Sequence, residues 1–243
     1  MRFRGAIFDV DGVLVDSPHE RAWRESLQRL MEGPWRDIAA QTRYAPERYT
    51  TEVYQAYVAG KPREAGAHAA LEYFGIPDPD GSRLRAYCDT KQAYLITLIE
   101  RGEFVAFDDA LRFLLALKGA DVRIAAASSS KNANMFLRKV MVGKALTLLD
   151  LFDANVCGRD FARGKPDPEI FLTAAAELQV PPAECVVIED AQSGVQAAKS
   201  GSMACVGVAR LGDQLLLESA GADWVVTSLD DLPVAKLLES TPN

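Results

Sequence analysis

The sequence predicts an α/β protein: a doubly wound parallel sheet with a helical unit inserted after its first strand. Three observations carry that expectation. From about residue 100 onward, short β-branched runs alternate with helical stretches. The N-terminal FRGAIFDVDG reads as one further strand of the same sheet. Between Ser17 and Tyr94 the chain is instead rich in Arg, Glu, Ala and Tyr and poor in β-branched runs. The expected division is a catalytic core of residues 1–16 and 95–243 and a helical cap insert of residues 17–94.

Taken in order, the later strands are expected at Val122–Ser128, Ala154–Gly158, Cys185–Asp190, Cys205–Arg210 and Trp224–Ser228. All are short apolar runs, as strands buried on both faces require. DPEIFLTAAAEL reads as a helix with Asp167 at its N-cap and Pro168 at its first position, where a missing N–H costs nothing. SGVQAAKSG closes a second helix on Gly201.

The formal net charge of −7 argues against a general nucleic-acid surface, which would need a basic face. No apolar run reaches the length of a membrane span, and MRFRGAIFDV lacks a signal-peptide layout. Cys88, Cys157, Cys185 and Cys205 are scattered without CxxC spacing. They read as buried reduced thiols of a cytoplasmic protein, neither zinc ligands nor a disulfide framework. A monomer or weak homo-oligomer is expected.

Chemistry concentrates at the strand ends. AIFDVDGVLVDS places Asp9, Asp11 and Asp16 within eight positions directly behind an apolar run. In open parallel sheets ligands bind beyond the carboxyl ends of the strands. Asp9 and Asp11 follow the first strand, Ser128 ends another, and Glu189 and Asp190 end a third. Carboxylates gathered on one edge are tolerable around a divalent cation, and oxygen ligands without His or Cys suit a hard ion such as Mg2+. Lys165, in GKPDPEIF, offers the positive charge a substrate anion would need. GRDFARGK has five residues between its glycines and a proline after its lysine, so it is no nucleotide-binding phosphate loop.

DVDGVLVDS, AAASSSKN, GKPDPEIF and VIEDAQSGVQAA resemble, in order, the four motifs of the haloacid dehalogenase superfamily. More narrowly they resemble its β-phosphoglucomutase-like phosphatase and phosphomutase subgroup. The resemblance implies a Rossmann-like core with a helical cap, and Mg2+-dependent phosphoryl transfer from a small phosphorylated metabolite, a sugar phosphate above all. It implies Asp9 as nucleophile, Asp11 as general acid/base, Ser128 and Lys165 as catalytic partners of the phosphoryl group, and Asp9, Asp11, Glu189 and Asp190 around the metal. It further implies substrate contacts from His19, Trp23, Arg63 and Lys91 in the cap and from Ser129, Ser130, Lys131 and Asn132 in the core. Arg63 belongs to a Gly-x-x-Arg pattern that begins at Gly60. Phosphatase and mutase both remain open at this point. The alternative from a different class is a catalytically silent phosphate-binding module or scaffold, which would be expected to lose Asp9 or Asp11.

Overall fold

A computed structural model describes residues 3–59 and 61–239. Its strands are β1 (Gly5–Phe8), β2 (Val15–Asp16), β3 (Val105–Ala106), β4 (Arg123–Ala126), β5 (Met141–Val142), β6 (Leu146–Thr147), β7 (Ala154–Asn155), β8 (Cys185–Glu189), β9 (Ala204–Val208) and β10 (Trp224–Val226). Six of them form one sheet in the order β10-β9-β8-β1-β4-β7, every pair parallel. The chain steps outward from β1 through β4 to β7, then returns to the other side of β1 for β8, β9 and β10. That reversal beside β1 is the switch point at which a doubly wound sheet leaves a crevice for ligands.

Two compact units divide the chain: residues 1–17 with 104–243, and residues 18–103. In the first, helices α5 (Asp108–Gly119), α6 (Ala133–Lys139), α7 (Glu169–Leu178), α8 (Gln192–Ser200), α9 (Gln214–Ser219) and α10 (Val234–Glu239) accompany the sheet. Successive side chains of a strand point to opposite faces. Ile7, Ala125, Val187 and Cys205 share a buried cluster with Phe171 and Ala174 of α7 and Val195 of α8. Phe8 points the other way and meets Phe113 of α5 edge-to-face, ring centroids 6.5 Å apart. β2 and β3 pair antiparallel, so the residues on either side of the insert are drawn together within this unit.

The second unit holds α1 (His19–Glu32), α2 (Thr51–Tyr57), α3 (Arg63–Phe74) and α4 (Ser82–Glu100). Its core includes Trp23, Leu27, Tyr49, Phe74 and Tyr87. Tyr87 stands edge-to-face on Trp23 at 4.9 Å and donates its hydroxyl to the Trp23 carbonyl at 2.9 Å, tying α4 to α1. Gly75, at φ +65°, ends α3 in the left-handed conformation that a residue without Cβ adopts freely.

Several boundaries differ from the sequence reading, among them the ends of β4, β9 and β10 by one or two residues. The break expected after residue 94 falls inside α4, which buries Leu95, Leu98 and Ile99 at helical spacing and so runs on to Glu100. The expected strand Ala154–Gly158 is regular only over Ala154–Asn155, although Val156 and Gly158 still donate to the Ala126 and Ser128 carbonyls. Helix α7 starts one residue later than expected. Pro168 takes the cap position, and Asp167 Oδ1 accepts the Glu169 N–H at 3.0 Å. Among the described residues no helix is long and apolar enough to cross a membrane.

Candidate active site

Asp9 is the first residue past β1, and its N–H donates to the Ile188 carbonyl at 3.0 Å, so the nucleophile candidate is still tied to β8. A tight loop follows. Leu14 and Val15 both donate to the Val10 carbonyl, and Gly12 donates to Val15. Gly12 sits at φ +82°, and a Cβ there would lie 1.8 Å from Asp190 Oδ2. Glycine is therefore required twice over, by backbone conformation and by space. The bare backbone lets the Asp11 loop press against Asp190. Glu189 is packed as closely by α8: a Cβ on Gly194 would fall 2.0 Å from its carboxyl carbon.

Lys165 binds this group of acids together. Its ammonium lies 2.6 Å from Asp9 Oδ1 and 2.8 Å from Glu189 Oε2. The second Asp9 oxygen accepts the Val10 N–H at 2.6 Å, and Glu189 Oε1 accepts from Ala191 N–H at 3.3 Å. Burial by itself would discharge Lys165, yet the Asp9 and Glu189 charges outweigh it and hold the ammonium well above its ordinary value. The carboxyls are pushed the other way. Burial raises Asp9 beyond what the Lys165 ion pair offsets, and nearby Asp11 adds to the effect. Burial lifts Glu189 to about 7. Asp190 is driven well above its usual range by burial and then by the charges of Glu189 and Asp9.

One lysine thus faces the buried Asp9 and Glu189 and the half-buried Asp190, with Asp11 beside them. Such a set of hard oxygen donors in surplus over the positive charge present fits a divalent cation. Among the described residues no three His, Cys, Asp or Glu side chains are grouped so as to enclose one alone. Mg2+ does not need that, since it takes one or two carboxylates and keeps several waters. Both oxygens of Glu189 are engaged, one by Lys165 and the other by the Ala191 N–H.

Ser128 is buried at the end of β4, and its Oγ accepts the Ser130 N–H at 3.2 Å. Ser130 Oγ in turn accepts the Asn132 N–H at 3.3 Å, so two hydroxyls shape this turn. Ser129 is exposed and Asn132 buried. Lys131 is half exposed, and its ammonium is held by Asp160 and by the Gly158 carbonyl.

The insert brings its four expected residues into one neighbourhood. Lys91 Nζ lies 2.9 Å from His19 Nδ1 and 5.0 Å from the centroid of the Trp23 ring. An ammonium only donates, so Nδ1 accepts and the ring proton resides on Nε2. Burial, followed by the charges of Lys91 and Arg63, lowers His19 to about 3 and keeps it neutral. Arg63 is the first residue of α3. Gly60, at the head of its sequence pattern, lies outside the described residues. Gly12 and Gly194 were absent from the candidate residues, although GV and SG following the acids were the available signal.

A family model described as haloacid dehalogenase-like hydrolase matches residues 3–201. The chain is 35% identical to a β-phosphoglucomutase of Bacillus subtilis, over 97% of this chain and 94% of that protein. It is 31% identical to a phosphorylated carbohydrates phosphatase of Thermotoga maritima, over 95% and 97% of the two chains. Among solved structures it superposes on the archaeal β-phosphoglucomutase of a hyperthermophilic Pyrococcus species with a TM-score of 0.75, at 33% identity and 96% coverage of each chain.

Proposed function

This chain belongs to the haloacid dehalogenase-like hydrolases, and on that premise we propose that it carries the phosphoryl group of a small phosphorylated sugar through a covalent aspartyl-phosphate on Asp9. The observation that carries the reading is Asp9 itself: a carboxylate at the tip of an inner strand, one oxygen on Lys165 and the other on a backbone N–H. An Asp9 oxygen attacks phosphorus, the bond from phosphorus to the sugar oxygen breaks, and Asp11 gives that oxygen its proton. In the second half a hydroxyl or water attacks the same phosphorus, Asp11 takes the proton back, and Asp9 is released. Ser128 donates to the phosphoryl oxygens, and the Lys165 charge balances what accumulates on them.

Asp9, Asp190 and the Asp11 main chain are the groups proposed to hold Mg2+, with Glu189 acting through Lys165. When bound, the ion supplies positive charge to the carboxylates and to the phosphoryl oxygens. The cationic cluster of Lys91 and Arg63 beside His19 and Trp23 favours a substrate with a second anionic group, which is the requirement of a phosphomutase. Likeness to both a mutase and a sugar-phosphate phosphatase supports the common chemistry. The test is incubation with phosphorylated sugars, with and without a hexose bisphosphate primer, scoring inorganic phosphate and isomer separately. Isomer without phosphate release identifies a mutase, and phosphate release alone a phosphatase. Neither product from any sugar phosphate overturns the reading.

A further inference from the structure

The loop between Asp11 and Val15 satisfies its own turn with the carbonyls of Val10 and Val15, while the Leu14 carbonyl accepts from Phe107 N–H at 3.0 Å. The two carbonyls at its apex are served from elsewhere. Arg210, just beyond β9, donates from Nε to the Gly12 carbonyl at 3.2 Å and from Nη2 to the Val13 carbonyl at 3.4 Å. The guanidinium is itself held from behind. Asp109 takes Nη1 and Nη2 at 3.1 and 3.0 Å, and the Phe107 ring lies 3.8 Å beneath the guanidinium carbon. Asp109 is fixed in turn by Ser228 Oγ at 2.8 Å and by the Leu229 N–H at 2.9 Å. Every nitrogen of the fork is thus used, in a setting where the Arg210 side chain is 15% exposed.

We propose that Arg210 is a positioning residue for phosphoryl transfer: it clamps the Gly12 and Val13 peptides against the α5 end of the core and thereby sets where Asp11 presents its carboxyl. This rests on the phosphoryl-transfer reading for its catalytic consequence, but its geometric content stands on the contacts alone. Gly12 is the peptide pressed on Asp190, so a drift of this loop moves Asp11 and reshapes the space around Asp190 together. A planar fork spans two carbonyls and a carboxylate at once, whereas a lysine offers a single point charge and cannot. A displacement of reacting groups by about 1 Å costs up to about a hundredfold in rate.

The experiment compares the full-length wild type with Arg210→Ala, Arg210→Lys and Arg112→Ala. Arg112 is the control: it joins α5 to Asp230 at the surface and does not touch the loop. Backbone amide exchange is read at Gly12, Leu14 and Val15 and at the sheet residues Ile7 and Val187, alongside kcat and KM on a small aryl phosphate. Expected for Arg210→Ala is faster exchange in the loop with the sheet unchanged, and kcat lower by about tenfold to a hundredfold with KM little changed. Millimolar guanidinium should restore part of the lost kcat to Arg210→Ala and none to Arg112→Ala. Arg210→Lys, which keeps the charge and most of the packing, should show the same loop exchange in milder form if the alanine variant fails to fold. Loop exchange unchanged in both Arg210 variants, or rising only in step with the sheet, overturns the proposal, as does kcat unchanged with the loop loosened. A wild type that turns over no phosphate ester would sink the phosphoryl-transfer reading instead, and the exchange data would still decide whether Arg210 holds the loop.

Discussion

Lys165 Nζ and Asp9 Oδ1 stand 2.6 Å apart at the end of an inner strand, both side chains nearly sealed from solvent. Removing one partner of a buried pair is far costlier than removing the pair, because the other charge stays behind. Lys165→Ala abandons both Asp9 and Glu189 and should destabilise the protein by about 3–5 kcal/mol. Adding Asp9→Asn and Glu189→Gln to a Lys165→Met background should recover most of that loss with no turnover. Urea midpoints read the stability, and a midpoint unmoved in Lys165→Ala would show that the pair is not the buried one described.

The surplus of buried carboxyls leads to a second expectation. Mg2+ should raise the melting temperature of the wild type, and go on raising it with the logarithm of its concentration above Kd, since it binds only the folded site. Asp190→Asn should lose most of that increase, and a chelator should abolish turnover. Full activity in excess chelator would remove the metal from the proposal.

Gly12 offers the sharpest steric test. Gly12→Ala needs a left-handed conformation that alanine resists, and its methyl would fall 1.8 Å from Asp190 Oδ2, so that carboxyl must move. Turnover should fall at least about a hundredfold, the scale of a 1 Å misplacement, even if the fold survives. Gly102, with open space around it, is the matched site at which alanine strains the backbone and touches nothing. Gly102→Ala should leave kcat as it is.

His19 makes the stability of the insert depend on pH. Its folded value of about 3 lies below the ordinary histidine value of about 6.5, through burial first and the Lys91 and Arg63 charges after it. Above about pH 6.5 neither state binds the proton, so the contribution is fully present. As pH falls below that, the unfolded chain protonates first and stability is lost progressively down to about pH 3. His19→Gln, which can still accept from Lys91, should flatten the decline between about pH 6.5 and about pH 5, an interval in which the raised Glu189 titrates alike in both proteins and so cancels from the comparison. Urea midpoints across that interval check it; equal slopes in the two proteins would refute it.

Arg63 tests the second anionic group. Arg63→Ala should remove a charge-assisted contact worth roughly 2–3 kcal/mol, or roughly 30- to 150-fold, from primed conversion of a hexose 1-phosphate. Hydrolysis of a small aryl phosphate should change little. Equal losses on both substrates would make Arg63 a support of the insert.

What could be read in advance was what local pattern carries. β1 and β8 were visible because strands covered on both faces are continuous apolar runs, and their ends then pointed to Asp9, Glu189 and Asp190. The end of the insert was misjudged because LITLI after Tyr94 has the β-branched look of a strand while burying residues at helical spacing. The bonds of Glu189 to Lys165 and to the Ala191 N–H were not legible, since Lys165 lies 24 positions away in sequence and no local pattern joins them. Arg210 carried no signal at all. Its partners lie 101 and 198 positions away, and a single arginine after a strand has no period to betray it.

The place of β1 in the sheet also bears on how the chain is made. Gly5 pairs with Arg123 on one side and with Cys185 on the other, and the second partner is synthesised 180 positions later (185 − 5). At roughly 5–20 residues per second, that delay lasts about 10–40 s on the ribosome. Through that interval β1, fully apolar in GAIF, has at least one edge with unpaired N–H and C=O groups, the template on which another strand can add. The same strand that carries Asp9 at its tip is therefore the nascent chain's exposed edge, and a translational pause before Cys185 is where aggregation of this protein should begin.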